Sequence, residues 1–510
     1  MAAIPRPSRS FVRSVVIATV GLVIGRGVGL ARSFAFVGLL PPEELGRWGI
    51  AYGTLPLLAW LLTLGLPAVL ARYSGQLDRM AQRRLLGLSF STVGLSGAVL
   101  SLAALALSGP VAYAVFGSSQ YTTDIHLLCL AAAFMALLHL CHGTLQGQRR
   151  FLLDTGLQVV YSVLFAATAL VSLTVLRPTT TVALGSYAAA TLFVLLVAIA
   201  GLRRLPPALG SSPLTTPPSA AALLWFGTGI CVGGIVEDIW PMVDRYAVLH
   251  VLETPLQVRQ YALGQYQIAL TLASPLVLVL SAVGVVVLPY AARLFDASCA
   301  QDADRHVSST VRFAAVAFLP CGFALLWLGP PLLRTIVGVP DGLWRHVLPF
   351  CLATGGLIGL QHVYKASFVC RGQSWRLVAV WTGMCVANVV LSVLLVRSAG
   401  LAGAAAASVV TGLGGSVLMS WMLHRVWSAS WRRDAVALML PAFCLGSAGA
   451  GLAVAAIVVW LCAATGFVLD ETDRELLRAA WCKLQLGGRS SETATAPGQP
   501  AEPLRHVEHV

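Results

Sequence analysis

The chain has 510 residues, of which 57% are hydrophobic and only 11% charged, with a mean hydropathy of +0.80. That balance excludes a water-soluble globule and reads as a polytopic helical membrane protein. The formal charge of +13 does not point to nucleic acid, because the basic residues sit mostly in short loops between apolar segments, where they report topology.

Apolar segments of spanning length run at 14–40, 47–71, 85–116, 125–147, 153–176, 181–202, 220–249, 259–292, 312–337, 346–370, 376–397 and 401–424, with a further one at 435–466. The expected fold is therefore an all-α polytopic membrane protein with twelve core transmembrane helices plus one or two C-terminal hydrophobic segments. Alternate gaps, counted from the N-terminus, collect twenty Arg and Lys residues against six in the others. This asymmetry predicts a cytoplasmic N-terminus. Arg13 followed by a Val/Ile-rich run imitates a secretory signal, but Arg26 interrupts it and no small-x-small cleavage pattern precedes Arg32.

The first segment carries the costliest residues, in Gly25–Arg26–Gly27–Val28–Gly29–Leu30–Ala31–Arg32. As a helix it is about 40 Å long, which puts Arg26 near mid-membrane. A guanidinium there costs roughly 2.5 to 3.5 kcal/mol on insertion scales, so it is expected to face a bundle interior or wet cavity and to meet an anion. A pyrophosphate suits it, because the guanidinium is permanently charged and binds oxyanions bidentately. The alternative partner is a carboxylate, Glu237 or Asp238. Arg32 lies about 9 Å further along an ideal helix and some 120° around it, so the two share a face only if the neighbouring glycines distort the helix. For Arg32, nearer the outer interface, snorkelling is the plain alternative.

His139, Cys141 and His142 cluster in the fourth segment, but no third ligand converges on the two histidines. Packing or interhelical polar contact is the expected role, not zinc. The eleven cysteines are scattered and never form Cys-x-x-Cys, so they read as small apolar residues. The seventh segment concentrates acid, with Glu237, Asp238 and Asp244 beside Arg245, around Pro241, which predicts a kink. Glu237 and Asp244 would share a face of a regular helix. Carboxylates at this depth are candidates for proton or sodium coupling, or members of a salt-bridge network. Lys365, with Gln361 and His362 in the tenth segment, either lines a central cavity or snorkels to the cytoplasmic interface. Trp60 and Trp381 are expected at the cavity, and most other tryptophans in interface belts.

Residues 203–219 carry five prolines and fall between the sixth and seventh segments, where a linker between two halves belongs. Leu66–Pro67 and Leu288–Pro289 match at an offset of 222, and Gly147–Gln148 and Gly372–Gln373 at 225, which supports an internal repeat. The division that follows is an N-lobe at 1–205, a Pro-rich cytoplasmic linker at 206–219, a C-lobe at 220–430, an extra hydrophobic segment at 431–466 and a tail at 467–510. Within the tail, 470–486 has an amphipathic interfacial pattern, and the remainder reads as disordered. Six spans per half make the lobes parallel repeats, with a substrate site between them near mid-membrane.

Several short motifs occur in order. They are Leu39–Leu40–Pro41–Pro42–Glu43–Glu44–Leu45–Gly46–Arg47–Trp48, Leu64–Gly65–Leu66–Pro67, Asp244–Arg245, Tyr261, Leu288–Pro289, Pro320 with Gly329 and Gly338, and Gly400–Leu401–Ala402–Gly403–Ala404–Ala405. On these the chain resembles the polysaccharide-transport (Wzx-like) oligosaccharide-lipid flippases, of the superfamily that also holds multidrug exporters and the lipid II flippase. The resemblance implies a monomeric carrier in a bacterial inner membrane, not an enzyme. Its cargo would be an undecaprenyl-pyrophosphate-linked oligosaccharide, moved from inner to outer leaflet by alternating access for cell-surface polysaccharide biosynthesis. No cofactor is implied beyond a coupling Na+ or H+.

Arg26 and Arg32 match the spacing of two headgroup arginines in the first helix of the lipid II flippase, and Lys365 is a secondary candidate. Ala59 and Trp60 stand where that protein's second-helix arginine pair aligns, which argues for another cargo. Asp244, Asn388 and Thr411 match its sodium site, with Ser392 where a second acidic ligand belongs. The rival readings are a lipid II flippase, a multidrug or cation antiporter, which favours an acidic cavity, and an integral-membrane glycosyltransferase, which the short loops disfavour.

Overall fold

Among the described residues all regular structure is helical. The computed structural model describes residues 9–445 apart from 76, 78, 205–219, 297–299, 372 and 428–430, together with 469 and 475. The expected linker, most of the 435–466 segment and all but one residue of the 470–486 pattern lie outside them.

Helix α1 spans Arg9–Leu39 without interruption. Helix α2, Pro42–Thr63, opens on a proline, whose missing N–H costs nothing at this position, and carries Glu43 and Glu44 at the positive end of its dipole. It stops at Leu64 and Gly65, with φ of 48° and 75°, and the chain resumes as α3, Leu66–Tyr73, bent by 63°. Only glycine fits at position 65, since a Cβ there would lie 1.9 Å from the Gly227 carbonyl oxygen in addition to the left-handed φ. The segment expected at 85–116 is two helices, α4 (Arg79–Ala106) and α5 (Ser108–Phe116). Pro110, in the first turn of α5, has no N–H to continue the ladder across Leu107. Helices α6 (Thr122–Gly147), α7 (Phe151–Val175) and α8 (Thr180–Arg204) complete the first half.

The second half begins with α9, Ala220–Ile239, and breaks as expected at Pro241, through a short turn at Trp240–Met242, before α10, Val243–Val251. The break corrects the expectation that Glu237 and Asp244 share a face. Long helices α11 (Leu256–Asp296), α12 (Ala300–Leu332) and α13 (Leu343–Cys370) follow. Helix α14, Ser374–Trp427, reverses at Gly400, whose φ of 56° and ψ of −132° are not helical. Asn388 Nδ2 therefore bonds Ser408 Oγ at 3.3 Å. On one straight helix those residues would be about 30 Å apart. Helix α15, Trp431–Met439, ends the described bundle.

Eight helices among the described residues are long and apolar enough to cross a membrane, nine if α2 and α3 count as one bent span. Exposed Leu88, Leu95, Val99 and Leu102 on α4, and Val160, Val163 and Val171 on α7, form surfaces suited to lipid. Charged residues tie helix ends together. Arg47, at the start of α2, pairs with Glu44, reaches Asp124 Oδ2 at 3.2 Å and stacks 4.1 Å from the Tyr121 ring. Thr181 Oγ1 donates to Asp124 at 2.5 Å, which joins α8 to the cluster. Arg312 of α12 meets Asp434 of α15 at 2.9 Å, both carboxylate oxygens being engaged because Ser308 donates to the second at 2.5 Å.

The halves meet chiefly along α2. Near its start it packs backbone to backbone on α11, where a Cβ on Gly264 would lie 1.8 Å from the Pro42 carbonyl oxygen. Near its end Trp60 reaches α9.

Candidate functional site

A cavity of ≈ 1110 Å³ lies between α1, α2, α3, α6, α7 and α8, with Ser274 and Leu278 of α11 closing one side. It extends from Arg72 and Gln146 at one end to Arg32, Tyr52 and Tyr187 at the other. Its charged lining residues are Arg26, Arg32 and Arg72, and no Asp or Glu lines it among the described residues. Guanidinium groups in a recess walled by apolar helices favour an anionic occupant strongly, because the low-dielectric walls screen them little.

Arg26 and Arg32 both line this cavity, although α1 is a continuous helix and no distortion brings them onto one face. They enter from different sides of the helix. Arg26 is half-buried and donates from Nη1 to Ser281 Oγ of α11 at 2.5 Å. It pairs with neither Glu237 nor Asp238, and among the described residues no carboxylate lies within 4 Å of it. Arg32 does not snorkel. It is 6% exposed, with its guanidinium carbon 4.3 Å from the centroid of Phe165 and 5.3 Å from that of Tyr52. Arg72 is exposed at the other end, over Phe226 at 4.7 Å.

The neutral part of the wall was not anticipated as a unit. Asp154, buried in the first turn of α7, accepts from His142 Nδ1 at 2.5 Å, Gln146 Nε2 at 3.0 Å and Gln158 Nε2 at 3.3 Å. These three donors line the cavity, so one carboxylate behind the wall orients an imidazole and two amides within it. His139 lines the cavity too, and among the described residues no group of His, Cys, Asp and Glu is arranged for a metal. Cys129, Cys141, Cys231, Cys321, Cys351, Cys385 and Cys444 are free thiols.

The remaining candidates lie in the second half, at separate places. Glu237 Oε2 is 2.6 Å from Lys365 Nζ, and Glu237 Oε1 is 3.3 Å from His362 Nδ1. Lys365 therefore neither snorkels nor lines the large cavity. Its ammonium is held by Glu237 and sits 5.2 Å from the Trp381 ring centroid. Asp238 accepts from Trp60 Nε1 at 2.9 Å, and Trp60 does line the cavity, as expected.

Beyond the break, Asp244 is buried, accepting from the Tyr266 hydroxyl, from Ser408 Oγ at 3.3 Å and from the Arg245 backbone N–H at 2.9 Å. Asn388 shares Ser408, also at 3.3 Å, and its Oδ1 accepts from Ser392 at 3.3 Å. Thr411 joins through Trp240, whose indole donates to it at 3.1 Å while its carbonyl accepts from Asn388 at 3.3 Å. The structure thus brings Asp244, Asn388 and Thr411 into one network and leaves Glu237 and Asp238 outside it. The network's side-chain oxygens are of the hard type that binds Na+, with a single carboxylate among them.

A comparison with curated protein sequences gives no match. Solved structures give clear likeness of fold. The lipid II flippase MurJ in an inward closed conformation matches with a TM-score of 0.64 at 13% identity, over 88% of this chain and 97% of that one. The MATE multidrug transporter DinF-BH, in complex with R6G, matches with a TM-score of 0.60 at 15% identity, over 81% and 95%. A MOP superfamily transporter from Pyrococcus furiosus, described by the reverse polarity of its binding pocket, matches with a TM-score of 0.59 at 12% identity, over 82% and 96%. The fold is therefore the one these three transporters share. The family described as polysaccharide biosynthesis protein matches residues 36–340, which is more than half of the chain. This membrane-embedded helical chain thus belongs to the polysaccharide biosynthesis protein family.

Proposed function

We propose that the chain is a flippase that carries a polyprenyl-pyrophosphate-linked oligosaccharide from the inner to the outer leaflet of a bacterial inner membrane, by alternating access between its two halves. The observation that carries this reading is the cavity's charge: Arg26, Arg32 and Arg72 line it, with no carboxylate among its described lining residues. Arg26 is the primary pyrophosphate contact. It is half-buried, has neutral Ser281 as its one hydrogen-bond partner among the described residues, and has further N–H groups to offer an oxyanion. A multidrug or cation exporter is disfavoured by the same basic lining, and Trp60, locked to Asp238 where lipid II recognition would call for arginine, favours a cargo other than lipid II.

Lys365 is a reserve cation that Glu237 holds until the halves rearrange. The Asp244, Asn388 and Thr411 network is the place where a coupling cation would bind, its oxygens replacing the bonds they now share. No coupling ion is required energetically. A pyrophosphate leaving an inside-negative compartment gains about 2.3 kcal/mol per charge per 100 mV.

The test is transport of a fluorescent polyprenyl-pyrophosphoryl sugar by the reconstituted protein. Arg26→Ala is expected to lower it at least tenfold while leaving thermal stability near that of the parent. Unchanged binding and transport in that variant would remove the assigned role.

A further inference from the structure

Asp154 is a buried carboxylate in the first turn of α7, and among the described residues no arginine or lysine pairs with it. Its partners are an imidazole and two amides. Oδ1 accepts from His142 Nδ1 at 2.5 Å, and Oδ2 from Gln146 Nε2 at 3.0 Å and Gln158 Nε2 at 3.3 Å. His142 and Gln146 stand one turn apart on α6, and Gln158 one turn beyond Asp154 on α7, so all three reach the same group.

A carboxylate only accepts, so it fixes which way each partner faces. With its Nδ1 proton on Asp154, the neutral imidazole of His142 has the Nε2 lone pair left to offer. Each amide has committed one N–H and keeps its carbonyl oxygen and the other N–H. The wall therefore presents three acceptors against two donors, and none of these atoms has a further hydrogen-bond partner among the described residues. A tie that served only to hold α6 to α7 would be buried whole. Here His142 and Gln158 are half-buried, Gln146 is exposed, and all three line the cavity.

An acceptor-rich wall calls for a ligand that brings donors. An ionised pyrophosphate brings none, and the charge of Asp154 behind the wall repels it. Sugar hydroxyls do bring them, and a side-chain amide matches two neighbouring hydroxyls by accepting from one and donating to the other. The wall is also close to the first arginine. Gly25, beside Arg26, approaches α7 so nearly that a Cβ on it would lie 3.4 Å from Ser162 Oγ and 3.9 Å from the Gln158 carbonyl oxygen. A pyrophosphate held by Arg26 thus leaves the sugars it carries alongside Gln158.

We propose that His142, Gln146 and Gln158 form a saccharide-binding wall that takes the hydroxyl groups of the cargo's sugars as hydrogen-bond donors, with Asp154 as the positioning residue that sets the wall's polarity. The proposal rests on the flippase reading above, and it assigns selectivity for the sugar to α6 and α7, not to the arginines.

Three probes test it by binding to the reconstituted full chain: polyprenyl pyrophosphate, polyprenyl-pyrophosphoryl glucose, and the same glucoside with two neighbouring hydroxyls replaced by fluorine. Fluorine keeps their size and polarity but removes the protons. The parent is expected to bind the glucose probe about tenfold tighter than the fluorinated one, the ratio that two lost hydrogen bonds produce. Asp154→Asn puts an NH2 where an oxygen accepted from the glutamines, so their amides must turn and the wall becomes donor-rich. This variant should erase the preference and bind polyprenyl pyrophosphate as the parent does. Gln158→Met fills the same space without hydrogen bonding and should reduce the preference. Equal binding of the two glucosides by the parent, or an undiminished preference in Gln158→Met, overturns the proposal and leaves the flippase reading standing. Equal weakening of all three probes in Asp154→Asn overturns it too, since Asp154 would then serve only to hold α6 against α7. Failure of all three to bind the parent removes the flippase reading, and the proposal with it.

Discussion

Trp60 of α2 donates its indole N–H to Asp238 of α9 across 2.9 Å, a charge-assisted hydrogen bond that joins the two halves beside the cavity. Cys231 Sγ donates to the Trp60 carbonyl oxygen at 3.2 Å and reinforces the contact. Trp60→Phe keeps the ring and deletes the donor. A bond to a carboxylate contributes about 1.5 to 3 kcal/mol, so the balance between this arrangement and the opposite one should shift by tenfold or more. Distance distributions between spin labels on α2 and α9 are expected to broaden in Trp60→Phe and to stay narrow in the parent.

The close approach of α2 and α11 gives a second prediction. A Cβ on Gly264 meets backbone at Pro42, which has no flexible end to move aside. Gly264→Ala should therefore disfavour closure at this end of the bundle. A Tyr52→Cys reporter in the Gly264→Ala background is expected to react with an impermeant maleimide from the Gly264 face several times faster than the reporter alone.

Arg312 and Asp434 test the anchoring of α15. Both are almost fully buried, and their ion pair at 2.9 Å is bonded further by Ser308. Asp434→Leu leaves a buried guanidinium without its carboxylate and should cost about 3 to 5 kcal/mol. The double variant Arg312→Met with Asp434→Leu should cost markedly less than the two single losses added. Thermal unfolding in detergent measures both.

Asp244→Asn separates coupling from structure. The amide keeps the shape that Tyr266 and Ser408 surround but removes the only carboxylate of that network. Transport driven by a membrane potential alone should persist near the parent rate, while any stimulation by a sodium or proton gradient should vanish. A parent rate that is unresponsive to potential contradicts this expectation.

Much of the architecture was legible because it is local. Most apolar runs of spanning length coincide with helices, although the 47–71 run bends by 63° at Leu64 and Gly65; Pro241 breaks the seventh segment, and the boundary between the eleventh and twelfth falls at Gly400, where the helix reverses. The split between α4 and α5 was missed, although Pro110 marks it. What sequence could not supply was partnership between distant residues. Nothing near Asp154 announces that His142, Gln146 and Gln158 converge on it, because that depends on how the hairpin of α6 and α7 closes. Arg32 was read by its depth, whereas its burial depends on rings from α2 and α7. Glu237 and Lys365 were both singled out, but their pairing across 128 positions has no sequence signature.

Among the described residues that line the cavity, the arginines sit on α1 and α3, while α11 contributes an alcohol and an alkyl side chain, Ser274 and Leu278. The cavity's charge is thus carried by helices that precede residue 205, and α11 presents them with a neutral face. The charge of this wall is therefore open to change by substitutions on α1 and α3 alone, with the α11 face left as it is.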